Sequence, residues 1–288
     1  VDPIVFTSRP KMERPVLITA FRGWNDAGES ASAAATFLKD SWDAELFARI
    51  DPEEFFDFQV ARPIVRLVDG VSRVIEWPPC EFHHARVDGR DVIVFIGGEP
   101  NVRWRTFAAT IVDLGRSLGA ERLITLGAFL ADVAHTRPVP VVGSAATPEE
   151  AEQLNLATSR YEGPTGIVGV LHDLSIRAGL PSVSFWAAVP HYVPAGVNPK
   201  AALALVERIS DFVGVEVDLS DLSPAVGTWE AKVSELVQEN ETLTEYVQRL
   251  EEAAGEEPPL PMVSGETLAA ELERFLRERD GGREGSQG

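Results

Sequence analysis

Cysteine occurs once in 288 residues, at Cys80, so no disulfide can close within the chain. A reducing compartment, the cytoplasm, is the natural expectation. Basic residues are scarce. Lys and Arg number 26 against 45 Asp and Glu, a net charge of −19. Nucleic acids and anionic membranes both call for a basic face, so neither is expected as a partner. No apolar run approaches the roughly 20 residues of a membrane span. The opening "VDPIVFTSRPKMERP" holds no extended apolar segment, so no signal peptide is expected.

Several chemical signatures are also missing. There is no G-x-G-x-x-G and no Gly-Lys-Ser/Thr, which removes the usual dinucleotide and P-loop cradles. No serine sits in a nucleophile elbow. His83 and His84 are adjacent in an expected strand and so point to opposite faces, while His135, His172 and His191 lack metal-ligand spacing. Cys80 lies between prolines and an acid, a poor setting for an activated thiolate. No metal, cofactor or catalytic residue is therefore assigned.

What is present alternates strands with helices up to about residue 215. Val16–Phe21 reads as a strand, Asp26–Lys39 as a helix and Glu45–Ile50 as a strand. "PIVRLVDGVSRVIEWP" and "FHHARVDGRDVIVFIGG" predict hairpins at Asp69-Gly70 and Asp88-Gly89. Trp104, Phe107, Ile111, Leu114 and Leu118 recur at helical spacing. Gly119, Gly179 and Gly214 each end a helix that leads into a strand. Asn198 and Pro199 open the last core helix as N-cap and first helical residue. Repeated helix–strand units with hairpins predict a mixed sheet flanked by helices.

The remainder differs. From Gly214 onward there are 18 acidic and 6 basic residues, most of the chain's charge excess. Val226, Val233, Asn240 and Val247 fall on one heptad position, and Trp229, Leu236, Leu243 and Leu250 on its partner. This seam predicts a continuous helix over 226–250, with Trp229, Leu236, Asn240, Leu243 and Leu250 as interaction candidates. A second amphipathic helix is expected over 265–279, folding back as a coiled-coil-like hairpin. The expected organisation is an α/β core over 1–222, a helical extension over 223–280 and a disordered tail over 281–288.

Two strand-to-helix turns are candidate ligand sites. In "FRGWNDAGES", Asn25 and Asp26 follow a strand; Asp26 with Glu29 also reads as an acidic capping box, which would repel an anion. In "GGEPNVRW", Gly97 and Gly98 could admit a ligand to the backbone, and Glu99 and Arg103 could bind polar groups. The competing reading is a tight turn that starts a helix.

"PVLITAFRGWNDAGESASAAATFL", "DPEEFFDFQVARP", "FIGGEPNVRW", "RLITLGAF" and "AAVPHYVPAGVNPKAALAL" occur in this order. Together they resemble the proteasome assembly chaperone 2 (PAC2) family in its actinobacterial form, over about residues 10 to 215. The resemblance implies a phosphorylase/hydrolase-like α/β core with a central mixed sheet. It also implies a non-enzymatic, self-associating protein with protein partners and a chaperone-like or scaffolding role. The alternative is a small-molecule-binding protein or enzyme of that fold class, with Asn25, Asp26, Glu99 and Arg103 lining one pocket. The carboxylate–amine ligase activity attributed to some bacterial relatives finds no nucleotide signature here.

Overall fold

A computed structural model describes residues 3–158, 161–193 and 196–253. The chain begins with β1 (Ile4–Phe6), β2 (Val16–Arg22), α1 (Ser30–Ser41), β3 (Glu45–Ile50) and the hairpin β4 (Ile64–Val68) and β5 (Ser72–Glu76). It continues through β6 (Cys80–Val87), β7 (Arg90–Gly98), α2 (Trp104–Ser117), β8 (Arg122–Ala131), β9 (Val141–Ala145), α3 (Pro148–Leu154) and β10 (Ala157–Thr158). The last elements are α4 (Ile167–Arg177), β11 (Ser182–Pro190), α5 (Pro199–Val213), α6 (Leu222–Gln238) and α7 (Glu241–Ala253).

Among the described residues, nine strands form one sheet in the order β1-β3-β6-β7-β2-β8-β11-β9-β10. Its centre, β7-β2-β8-β11, is parallel, and its flanks are largely antiparallel. The mixed sheet read from the sequence is thus the observed one. Strand alternation sends Ile18, Val94, Ile124 and Phe185 to one face, against Ala31, Ala34, Ala35 and Leu38 of α1 and Leu205 and Ile209 of α5. It sends Leu17, Phe95 and Leu123 to the other, against Phe107 and Ile111 of α2 and Leu171 of α4. Ala31, Ala34 and Ala35 of α1 are wholly buried, so that helix sits close on the sheet.

Local chemistry follows the sequence closely. Asp69-Gly70 and Asp88-Gly89 both carry positive φ, as a two-residue hairpin turn requires. Gly119, Gly179 and Gly214 are left-handed where their helices end, although the strand expected after Gly214 is not formed and the chain runs irregularly to α6; Asn198 accepts a hydrogen bond from the N–H of Ala201 at 3.0 Å.

The C-terminal helices depart from the expectation. The seam is not one helix: it breaks between Gln238 and Glu241. Asn240 is not a buried register residue but an exposed cap, its Oδ1 accepting from the N–H of Leu243 at 3.2 Å. Within α6, Val237 is buried while Leu236 stays exposed. Val233, Val237 and Val247 pack with Trp229, Leu243 and Leu250 against Ala134 and Tyr192 of the core. Apart from Leu236, the apolar residues of the seam are thus largely covered within the chain. The helix expected over 265–279 and the tail over 281–288 lie outside the described residues.

Candidate functional site

Because β2, β7, β8 and β11 run parallel, their carboxyl ends share one edge, the usual ligand edge of an open α/β sheet. Asn25 and Asp26 follow β2 there, and Glu99 follows β7. The turn after β2 is fixed by the N–H of Ala128 donating to Asn25 O at 2.8 Å. Asn25, only 2% exposed, donates through Nδ2 to Glu99 Oε1 at 3.0 Å. The same oxygen accepts the N–H of Ile167, the first residue of α4, at 2.8 Å. Gly166 is required beside it, since a Cβ at that position would lie 2.3 Å from the Asn25 amide.

Asp26 faces a different helix. A 3-10 turn over Ala27–Glu29 delays α1 to Ser30, with Gly28 and Glu29 left-handed. That loop returns Asp26 to the helix mouth. Its Oδ1 accepts the N–H groups of Ala31 at 2.7 Å and Ser32 at 3.2 Å. The expected capping box is therefore corrected: Asp26 caps α1 from five residues upstream, while Glu29 is exposed and makes no reciprocal bond. Asp26 Oδ2 is buried without a partner among the described residues, as is Trp24 Nε1.

The N-termini of α1 and α4 thus each hold a carboxylate of the chain itself. Such positions otherwise suit phosphates or other anions. Burial raises the pKa of both Asp26 and Glu99 above the ordinary carboxylate range, partly offset by the hydrogen bonds they accept.

The other candidates do not join this cluster. Arg103 pairs with Glu54 and lies 5.9 Å from the Phe55 ring centre. Gly97 and Gly98 belong to β7, and the room they leave is filled by aromatic rings. A Cβ on Gly97 would come within 2.8 Å of Phe95, and one on Gly98 within 3.1 Å of Phe56. Of the four side chains expected to line a pocket, only Asn25 and Glu99 meet; Asp26 is spent on α1 and Arg103 lies elsewhere. Cys80 is buried, which pushes its thiol up to about 12. Among the described residues no group of three His, Cys, Asp or Glu could hold a metal, and no helix is long and apolar enough to cross a membrane.

Sequence reasoning missed a second polar cluster on the same edge, after β8 and β11. His135 is 3% exposed; its backbone N–H donates to the Tyr192 hydroxyl at 2.8 Å. Its Nδ1 lies 2.9 Å from that hydroxyl and its Nε2 3.0 Å from Ser234 Oγ on α6. If Tyr192 donates to Nδ1, Nε2–H donates to Ser234, which fits a neutral ring. Lys200 donates to His135 O at 2.6 Å and pairs with Glu230 of α6 at 2.5 Å. Tyr246 of α7 donates to Asp132 at 2.7 Å and meets His191 at 2.9 Å. These contacts fasten α6 and α7 across the ends of β8 and β11. The signal available beforehand was weak: two histidines in loops that directly follow core strands.

The profile of the PAC2 family matches residues 20–237. The chain belongs to the PAC2 family. A PAC2 family protein from Streptomyces avermitilis is 45% identical, with TM-score 0.76, over 81% of this chain and 99% of that one. A proteasome-assembly chaperone homologue from Mycobacterium tuberculosis is 47% identical, with TM-score 0.74, over the same 81% and 99%. A second M. tuberculosis protein, of unknown function, is 26% identical with TM-score 0.79 and covers 96% of both chains. No curated protein matches. The PAC2 match runs through most of α6 and takes in Ser234, Asn25, Glu99, His135 and Tyr192.

Proposed function

We propose that this PAC2 protein is a non-enzymatic protein-interaction factor with a chaperone-like or scaffolding role. One observation carries the reading. At the sheet edge where an α/β fold would hold an anionic substrate, the chain's own carboxylates stand at two helix mouths, Asp26 at α1 and Glu99 at α4. The α6–α7 pair fastened over the neighbouring strand ends supports it. The 47%-identical relative described as a proteasome-assembly chaperone homologue supports the same reading and suggests proteasome subunits as the first partners to test. The division into a core ending near residue 222 and a helical extension belongs to this proposal, with the extension serving as a mounted element of the interaction surface.

The experiment is affinity capture with the full chain, followed by mixing with purified proteasome subunits and measurement of complex formation and assembly rate. Stable, saturable association with a defined protein is the expected result. Absence of any protein partner, together with saturable binding of a small metabolite, would overturn it.

A second reading rests on the orphaned Asp26 Oδ2 and Trp24 Nε1. A donor group on a small polar guest would satisfy the first, and an acceptor group the second. Calorimetry against neutral and cationic metabolites, with Asp26→Asn as control, tests that reading.

A further inference from the structure

The α6–α7 pair is joined to the sheet by polar ties more than by apolar contact. In the apolar cluster that the pair shares with the core, the core's side consists of Ala134, Tyr192 and Val193 among the described residues. The clusters on the two faces of the sheet draw almost wholly on residues before α6. The ties themselves are charged or titratable. Lys200 of α5 pairs with Glu230 of α6 at 2.5 Å. Glu251 of α7 accepts from Thr136 through its carboxylate and from Arg137 through its carbonyl, the latter at 3.1 Å. Tyr246 of α7 reaches Asp132 and His191. His135 stands among them and holds Ser234 of α6.

The surroundings of that ring suit one proton and not two. The Tyr192 hydroxyl accepts the backbone N–H of His135 at 2.8 Å, and its single proton serves Nδ1 at 2.9 Å. Nε2 then carries the ring proton and donates it to Ser234 at 3.0 Å. A second proton on Nδ1 would turn that atom into a donor facing the Tyr192 oxygen, and the tyrosine proton would lose its acceptor. It would also place a cation in a 3%-exposed position beside the Lys200 ammonium, which donates to His135 O at 2.6 Å. Burial and Lys200 hold the pKa of the ring below its ordinary 6.5, and Glu251 and Glu230 offset this only in part. A charged His135 is relieved by reaching water, and α6 is the element whose departure admits it. A pair held by so little apolar contact opens at lower cost than a central strand.

We propose that His135 is the catch of an acid-released latch: protonation of its ring frees α6 and α7 together from the ends of β8 and β11 while the sheet beneath stays folded. Release uncovers Trp229, Val233, Val237 and Val247 on the helices and Ala134 and Tyr192 on the core. An apolar surface hidden at neutral pH is thereby presented in acid. The use of that surface by a partner rests on the interaction role proposed above, whereas the latch does not.

Two thiols in the full chain test it. Val247→Cys places one under the α6–α7 pair, and the native Cys80, buried in β6, reports opening of the core. Both are labelled with a dithiodipyridine, which reacts with thiols in acid, and each rate is taken relative to the denatured chain at the same pH. From about pH 7.5 to about pH 5, labelling at position 247 should accelerate at least about tenfold while Cys80 stays protected. His135→Gln should abolish the acceleration, and His191→Gln, at the α7 contact, should keep it. The His135 ring, followed by NMR in the Val247→Cys chain, should titrate at the pH where labelling accelerates, a reading that does not depend on how well His135→Gln folds. Equal acceleration of both thiols would mean unfolding of the whole chain and would overturn the latch. So would labelling at position 247 that ignores pH, a response that survives His135→Gln, or a midpoint that differs from that of the His135 ring.

Discussion

His135 and Ser234, 99 residues apart in sequence, meet at 3.0 Å and join a loop after a core strand to the first C-terminal helix. The contact is part of the fastening that holds α6 over the sheet edge. Burial and the nearby Lys200 lower the pKa of His135, while Glu230 and Glu251 oppose the shift. A depressed folded pKa means the unfolded chain binds the proton first. Stability linked to this ring is therefore intact well above the ordinary value of 6.5 and falls as pH drops below it toward the folded pKa. Tyr192 and Ser234 must also reorganise when Nδ1 gains a proton. His135→Gln should flatten that acid-side loss relative to wild type, read by melts from pH 7.5 to 5. Identical profiles for the two proteins would refute a linked histidine.

Asp26 offers a separate pH test with the opposite sign. Its pKa is raised by burial, so the folded chain holds the proton more tightly than the unfolded one. Stability linked to Asp26 rises as pH falls from neutrality through the raised folded value, levelling off below 3.8. Asp26→Asn keeps an acceptor for Ala31 and Ser32 without the charge. Its stability relative to wild type should therefore be greater at pH 7 than at pH 4. Asp26→Ala removes the cap and should cost about 0.5–2 kcal/mol. Unchanged melting together with lost binding of a partner or ligand would instead mark Asp26 as a site residue.

Asn240 distinguishes two descriptions of the C-terminal helices. In a continuous coiled coil, replacing a polar seam residue by leucine would raise stability. As the cap of α7, Asn240→Leu should lower it by about 0.5–2 kcal/mol. A rise in the melting temperature would restore the single-helix picture.

Nucleotides should not bind. ATP and NAD need a helix mouth or glycine cradle for their phosphates. Here Asp26 and Glu99 fill the mouths of α1 and α4, and the chain is strongly acidic. Titration calorimetry at millimolar nucleotide should show no saturable heat. Micromolar binding would demand displacement of one of these carboxylates and would favour an enzyme.

Ending the chain after Leu222 removes Ser234, Glu230 and Tyr246 from the cluster around His135 and uncovers Ala134 and Tyr192. The α/β layers close around their own residues, so the shortened chain should keep a cooperative melt at lower temperature. A shortened chain with no cooperative transition would make the C-terminal helices part of the core.

The layered fold was legible in the sequence because its signals are local. Alternating strands, Asp-Gly turns, the Asn198-Pro199 start and three terminating glycines each depend on a few neighbouring residues and on backbone geometry. The same locality explains the errors. Asp26 and Glu29 have capping-box spacing, yet Gly28 turns the chain left-handed and moves the helix start, so Asp26 reaches Ala31 and Ser32 instead. A heptad count carries through Asn240, but a polar side chain that can cap a new helix broke the old one once Ala134 and Tyr192 offered apolar cover. Pairings such as Asn25 with Glu99 or His135 with Ser234 span 74 and 99 residues. No periodicity encodes them: they exist because parallel strands deliver their carboxyl ends to one edge, and only the closed sheet decides which loops meet there.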